Sequence, residues 1–209
     1  KHVAIGVRGD TASQGNLVTG NWFDSIGNFD FGYCVSLRNN YYADVTNNLM
    51  TRAWTGVHVT NHSFLGGPPS FNIANNEIHA YAAGVLYRQQ FNNATGATIT
   101  GNNISAETGA VSNNFGILAF SIQSAVNPTF QNNTISGQDY GVGLTNTSTS
   151  NIITLGSTNS ISGTKLAGVY LTDNLTFNPA NAANLTSNVF TGPANNIAVN
   201  LSGLSITTA

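Results

Sequence analysis

The sequence predicts an all-β solenoid, a chain wound into coils that stack as parallel sheets. Three observations predict it: a polar step built on asparagine that recurs at a nearly constant period, a glycine-led apolar alternation after each step, and a composition suited to turns and short strands. The step reads apolar residue, two small or polar residues, Asn, any residue, apolar residue. Its copies are Val18…Asn21-Trp22-Phe23, Val45…Asn48-Leu49-Met50, Ile73…Asn76-Glu77-Ile78 and Ile99…Asn102-Asn103-Ile104, then Phe130…Asn133-Thr134-Ile135, Leu155…Asn159-Ser160-Ile161 and Leu185…Asn188-Val189-Phe190. Only the Leu155 copy carries an extra residue before its Asn. Successive asparagines stand 27, 28, 26, 31, 26 and 29 residues apart. Such a period belongs to repeat architectures, in which one unit cannot bury its apolar face alone and must stack on its neighbours.

The second landmark is a small or turn residue followed by alternating apolar positions. It reads Gly32-Tyr33-Cys34-Val35, Gly56-Val57-His58-Val59, Gly84-Val85-Leu86-Tyr87 and Gly116-Ile117-Leu118-Ala119, then Gly141-Val142-Gly143-Leu144, Gly168-Val169-Tyr170-Leu171 and Asn196-Ile197-Ala198-Val199. Each unit therefore holds three short strands: one before the Asn, one after it and one after the Gly. Stacked about 4.8 Å apart, matching strands give three parallel sheets around a continuous core. Asn suits the bend between the first two strands because it tolerates left-handed backbone better than any residue except Gly. Stacked Asn amides also bond one another and nearby backbone. The expected layout is one domain over 1–209, with a partial coil at 1–15 and about seven coils at 16–40, 41–70, 71–96, 97–127, 128–150, 151–182 and 183–209. The longest insertion falls around Ala106–Asn114, and Gly66-Gly67-Pro68-Pro69 is a turn.

Composition narrows the function. Charged residues are 7%, the net charge is -2 and hydrophobic residues are 41%, so neither a disordered chain nor a nucleic-acid-binding surface is expected. The 31 asparagines suit turns rather than helices. No apolar run is long enough to span a membrane, and the single cysteine, Cys34, allows no internal disulfide. The chain is read as a mature or trimmed piece of a secreted or surface protein. Eight Asn-x-Ser/Thr triplets, such as Asn103 and Asn132, are potential glycosylation sites or simple products of an Asn- and Thr-rich sequence.

Taken together, the repeats resemble the right-handed parallel β-helix of the pectin-lyase-like superfamily over nearly the whole chain. That resemblance implies a single-stranded right-handed β-helix and identifies Asn21, Asn48, Asn76, Asn102, Asn133, Asn159 and Asn188 as an asparagine ladder. It does not select a function, because the superfamily includes lyases, hydrolases, epimerases, adhesins and tailspikes. In its lyases the substrate lies on the outer face of the strand marked here by Gly. With Val57 and Val59 inward, parity turns His58 and Thr60 outward, with His62 just beyond. Gly6, Arg8, Asp10, Cys34, Ser36, Arg38, Leu86, Arg88 and Gln90 take the matching outward positions. Arg8, Arg38, His58, His62 and Arg88 thus form a candidate face for an anionic glycan, spanning about 15 Å at the strand spacing. Guanidinium matches carboxylate or sulfate with paired donors. Charges placed where strands meet water explain the same row. The same parity exposes Leu118, Phe120 and Ile122.

Trp22, Trp54, Tyr81 and Tyr140 are candidate sugar-stacking residues, or packing under loops. A column of Asp24, Thr51 and His79, with Arg52 beside it, is either an acid/base group or a solvated turn. The motifs that the resemblance associates with chemistry are missing: the grouped calcium carboxylates of pectate lyases, the Asn-Thr-Asp, Asp-Asp and Gly-His-Gly of polygalacturonases, and the Asp-Pro-His-Asp of alginate epimerases. No cofactor motif or metal spacing occurs, so neither cofactor nor metal is expected. The expectation is a non-catalytic extracellular scaffold, part of an adhesin, fibre or filament that contacts glycans. The alternative is a polysaccharide lyase or related enzyme using the Arg/His face. The terminal strands, Val3–Val7 and Leu201–Ala209, carry no polar cap, so axial continuation by more chain or by another copy is expected.

Overall fold

The structure is a computed structural model and describes residues 5–10, 13–26, 32–39, 41–62, 71–90, 97–122, 128–145, 154–155, 158–171, 189–191 and 197–200. Among these residues there is no helix; nineteen strands stack as a parallel β-solenoid. The first stack comprises β2 (Ser13–Thr19), β5 (Tyr41–Thr46), β7 (Asn72–Ala74), β9 (Thr98–Thr100), β12 (Thr129–Gln131) and β15 (Thr154–Leu155), which form a six-stranded sheet. The second comprises β3 (Trp22–Asp24), the start of β6 (Leu49–His62), the start of β8 (Glu77–Gln90), β10 (Asn103–Ala106), β13 (Thr134–Ser136), β16 (Ser160–Ser162) and β18 (Val189–Thr191). The third comprises β1 (Ile5–Gly9), β4 (Tyr33–Arg38), the ends of β6 and β8, β11 (Phe115–Ile122), β14 (Tyr140–Thr145), β17 (Ala167–Leu171) and β19 (Ile197–Asn200).

Three strand stacks were expected to make three sheets. Hydrogen-bond connectivity instead joins the second and third stacks into one 13-stranded sheet. The reason is local: β6 and β8, 14 residues each, run through the corner without a break. Register shifts between Met50 and Ala53 and between Ala53 and Thr55 absorb the bend, and Arg52 takes a left-handed φ of 50° there.

The core is made of like-on-like columns. Val45, Ile73, Ile99 and Phe130 line the first stack; Met50, Ile78, Ile104, Ile135 and Ile161 line the second; Val35, Val57, Val85, Ile117, Val142 and Val169 line the third. All are buried. β-Branched side chains repeat at one register position because a parallel stack presents the same pleated surface at every level.

The ladder is present from Asn21 to Asn159. Asn48, Asn76, Asn102, Asn133 and Asn159 are at most 2% exposed. Each Oδ1 accepts two N–H groups of the preceding ladder residue, its backbone amide and its side-chain amide. For Asn102 these come from Asn76 at 3.1 and 2.9 Å. The Asn102 Nδ2 in turn donates to Ile73 O at 2.8 Å and to Asn133 Oδ1 at 3.0 Å. Asn188 lies outside the described residues. One expectation is corrected. The left-handed backbone belongs not to the ladder asparagines but to the residue before each: Gly20, Asn47, Asn75, Gly101, Asn132 and Thr158, with φ between 55° and 73°. The ladder Asn is selected for its four buried hydrogen bonds, and the turn is made one position earlier.

The glycine landmark is also a packing device. A Cβ on Gly56, Gly84, Gly116 or Gly141 would run into the Ile of the next coil's second stack and the carbonyl of the next coil's glycine, at 2.5–2.6 Å from that oxygen. Cys34 holds this register position in its own coil, opposite Gly56. It was expected to face outward, but it is fully buried in the core cluster. The second-stack residue of the next coil is here Met50 rather than Ile, an unbranched side chain that adapts to an added neighbour.

Candidate functional site

Two faces of the solenoid concentrate the few charged groups. The first is the outer side of the third stack. In register, Arg8, Ser36, His58 and Leu86 form one lane, and Arg38, Thr60 and Arg88 form the next. By alternation these residues lie opposite the inward valines, but the expectation that they meet solvent fails for several: Ser36, His58 and Thr60 are at most 2% exposed. Alternation fixes which side a residue faces, not what lies over it. Here the Tyr33 ring stacks on His58 at 4.2 Å with 18° between planes. Arg88 Nε donates to His58 Nε2 at 3.0 Å, and Ser36 Oγ lies 3.3 Å from His58 Nδ1. Because guanidinium only donates, Nε2 is the acceptor, and this network assigns the proton of a neutral imidazole to Nδ1.

Arg8 donates to Asp10, and that bond holds the Asp10 carboxyl below the usual carboxylate range; the charge of Arg38 and the amide of Asn39 act in the same direction. Arg38 is half-buried, and its Nε is enclosed without a hydrogen-bond partner. His62 pairs with Gln90 in the backbone register; its side chain is outside the described set. Farther along this face the charges give way to aromatics. Phe115 stacks on Tyr140 at 4.8 Å, and Tyr170 lies against Tyr140 at 4.7 Å with a 34° tilt. Gly143 makes room, since a Cβ there would meet the Phe115 ring and Leu118. Leu118 and Phe120, expected to be exposed, are half-buried.

The candidate stacking residues fare differently. Tyr140 is flanked by Phe115 and Tyr170, so its ring faces are engaged within the fold. Trp54 and Tyr81 are half-buried, whereas Trp22 is 72% exposed.

The second face is the outer side of the second stack. Asp24 and Thr51 are register partners, as are His79 and Ser105. Thr51 Oγ1 donates to Asp24 Oδ1 at 2.7 Å, and Arg52 donates to both Asp24 oxygens, through Nε at 2.9 Å to Oδ1 and through a terminal nitrogen to Oδ2. The Arg52 hydrogen bond, then that of Thr51, holds the Asp24 carboxyl down to about 2. The Arg52 backbone N–H donates to Glu107 Oε2 at 3.0 Å, so the insertion after β10 folds back toward the corner of β6. One level along, His79 is bonded on both sides: Nε2 to Glu77 Oε1 at 3.1 Å and Nδ1 to Ser105 Oγ at 2.6 Å. The expected column is therefore real for Asp24, Thr51 and Arg52, while His79 belongs to a separate group with Glu77 and Ser105. Sequence reasoning missed both. Their signal was parity: Glu77 is two residues before His79 on one strand, and Ser105 follows Asn102 at the same offset as His79 follows Asn76.

Among the described residues no group of three or more His, Cys, Asp or Glu side chains is arranged to hold a metal ion. The chain matches no family model, no curated protein and no solved structure.

Proposed function

We propose that this chain is a segment of an extracellular scaffold, part of a surface adhesin, fibre or filament, whose third-stack face binds acidic glycans without cleaving them. In this reading the solenoid is a right-handed β-helix of the pectin-lyase-like type with seven coils and three faces per coil. Right-handed winding is the general preference of parallel crossover connections, and seven asparagine steps supply seven coils.

The observation that carries the glycan contact is Arg38. Among the described residues this guanidinium has no ion pair within 4 Å, and its Nε–H has no acceptor. It lies two strands from Arg88 in one register lane. A carboxylate or sulfate supplies the counter-charge that this half-buried guanidinium lacks. Binding is favoured over chemistry on this face because His58 is buried with both ring nitrogens engaged. The test is retention on immobilised polyuronate and on a sulfated glycan at low salt. The parent chain should be retained and released by salt, and the variant carrying Arg38→Ala and Arg88→Ala should run through. A parent that is not retained, or a double variant retained equally, overturns the reading.

A further inference from the structure

We propose that Ser105, His79 and Glu77 form a nucleophilic triad that cleaves carboxylic esters on the second-stack face. The geometry has the three relations that such chemistry requires. Ser105 Oγ is 2.6 Å from His79 Nδ1, within reach for proton transfer. His79 Nε2 is 3.1 Å from Glu77 Oε1. A carboxylate only accepts, so Glu77 holds the imidazole proton on Nε2 and leaves Nδ1 as the acceptor toward the Ser105 hydroxyl. This is the order nucleophile, base and orienting carboxylate, with the two imidazole nitrogens exchanged relative to the familiar serine-protease arrangement.

The fold holds these groups rigidly. Glu77 and His79 are alternate residues of β8, and Ser105 is the register partner of His79 on β10. The inward residues between them, Ile78 and Ile104, are fully buried in the core. The pleat therefore fixes all three side chains on one side with no loop between them, which is the placement a precise site needs. The face is also open: Ser105 is half-buried, and the His79 and Glu77 side chains are 33% and 54% exposed. Neutral donors stand on either side. Asn103 is the outward residue before Ser105 and the register partner of Glu77, and Ser136 is the register partner of Ser105 on the next strand. In this proposal they are the nearest neutral donors, by register, for a developing oxyanion.

The reaction balances with water alone. The Ser105 hydroxyl proton passes to His79 Nδ1 as Oγ attacks the ester carbonyl carbon. The alkoxy leaving group takes that proton from His79 as the carbon–oxygen bond breaks, which leaves acyl-Ser105 and an alcohol. Water then gives a proton to His79 and attacks the acyl carbon. Ser105 leaves with that proton, and a carboxylic acid is released.

An open site favours an acyl group displayed on a polymer. Trp22, Leu49 and Glu77 share one register lane, so the backbone of the exposed Trp22 stands about 10 Å from that of Glu77 at the strand spacing. A sugar stacked on Trp22 would bring an O-acyl group of an adjoining unit toward Ser105. The glycan part of this substrate rests on the reading given above; ester cleavage does not.

The test uses the whole chain, a fluorophosphonate probe with mass mapping, and turnover of nitrophenyl acetate. The parent should be labelled at Ser105 when native and unlabelled in urea. Ser105→Ala should lose the label and the turnover while keeping the parental urea midpoint. His79→Gln should label roughly 100-fold more slowly. Glu77→Gln, a positioning change, should lower kcat with little change in KM. Ser162→Ala, in the same hydroxyl lane but without an imidazole, should behave as the parent. A parent that is unlabelled when native, or labelled at the same rate after His79→Gln, overturns the proposal. The two readings fail separately: a parent that is labelled and turns over ester but is not retained on glycan keeps this proposal and loses that reading, and a parent that is retained but unlabelled does the reverse.

Discussion

Replacing Asn102 by Leu should cost about 3 kcal/mol or more, a figure that follows from the bonds the amide makes. Asn102 is 1% exposed. Leu has the same branched heavy-atom skeleton and is somewhat larger, so the change leaves no cavity. It removes the donor to Ile73 O at 2.8 Å and the shared acceptor of the Asn76 backbone and side-chain N–H groups at 3.1 and 2.9 Å. Asn133 Oδ1 keeps one donor, the backbone N–H of residue 102. Besides Asn133 Oδ1, three buried polar groups thus lose a partner, each worth about 1–3 kcal/mol when left unsatisfied. Because neighbouring losses do not add cleanly, the lower end is the safer sum. The assay is urea unfolding followed by far-UV circular dichroism. Asn103→Ala is the control: its side chain is exposed at the next position, and it should change stability by less than about 0.5 kcal/mol. A loss below about 1 kcal/mol for Asn102→Leu would refute the view that the ladder amides hold the coils together.

Three further outcomes follow from the geometry. Gly84→Ala should destabilise by about 1–3 kcal/mol through overpacking against Ile104 and the Gly116 carbonyl, read as a lower urea midpoint; an unchanged midpoint would mean that the coil spacing yields freely. Burial, reinforced by the charge of Asp24, pushes the Cys34 thiol up to about 12, so iodoacetamide at pH 8 should modify the native chain only as fast as it unfolds. The Asp24 carboxyl, held down to about 2 from an ordinary 3.8, contributes stability that is complete above about pH 4 and is lost as pH falls through 2. In Arg52→Ala its carboxyl signal in a carbon-detected NMR titration should move back toward 4, and a midpoint that stays near 2 would contradict the pairing.

The repeat was legible because its two markers are backbone requirements. A buried amide that bonds upward and downward has few substitutes, and the glycine lane cannot take a Cβ where the next coil stacks an Ile against it, so both recur at a fixed period. The turn position was legible too, but was assigned one residue late. The Gly, Asn or Thr preceding each ladder Asn carries the left-handed φ, and doublets such as Asn47-Asn48 hid which member did what. Parity failed for the side of Cys34, which lies in the core, and for exposure along the rest of the lane. Nothing in the alternation of Val57, His58 and Val59 says that Tyr33 will lie across His58. The fused corner of β6 and β8 was not legible because joining two strands needs no special residue beyond a tolerated Arg52. The grouping of Glu77, His79 and Ser105 required register between coils as well as parity within one, and the extra length of the fourth coil obscures that only after Ser105.

The ladder also sets how the rod responds to force. Asn48 Nδ2 reaches back to Val18 O and forward to Asn76 Oδ1, so each amide links three successive coils rather than two. A chain pulled from one end therefore cannot shed a coil without first breaking a contact that the coil beneath shares with the one above. Unwinding becomes a series of discrete ruptures, each releasing the 26–31 residues between adjacent asparagines, or about 90–110 Å of extended chain. A surface fibre built this way would lengthen in steps under load and would re-zip from the coil still standing.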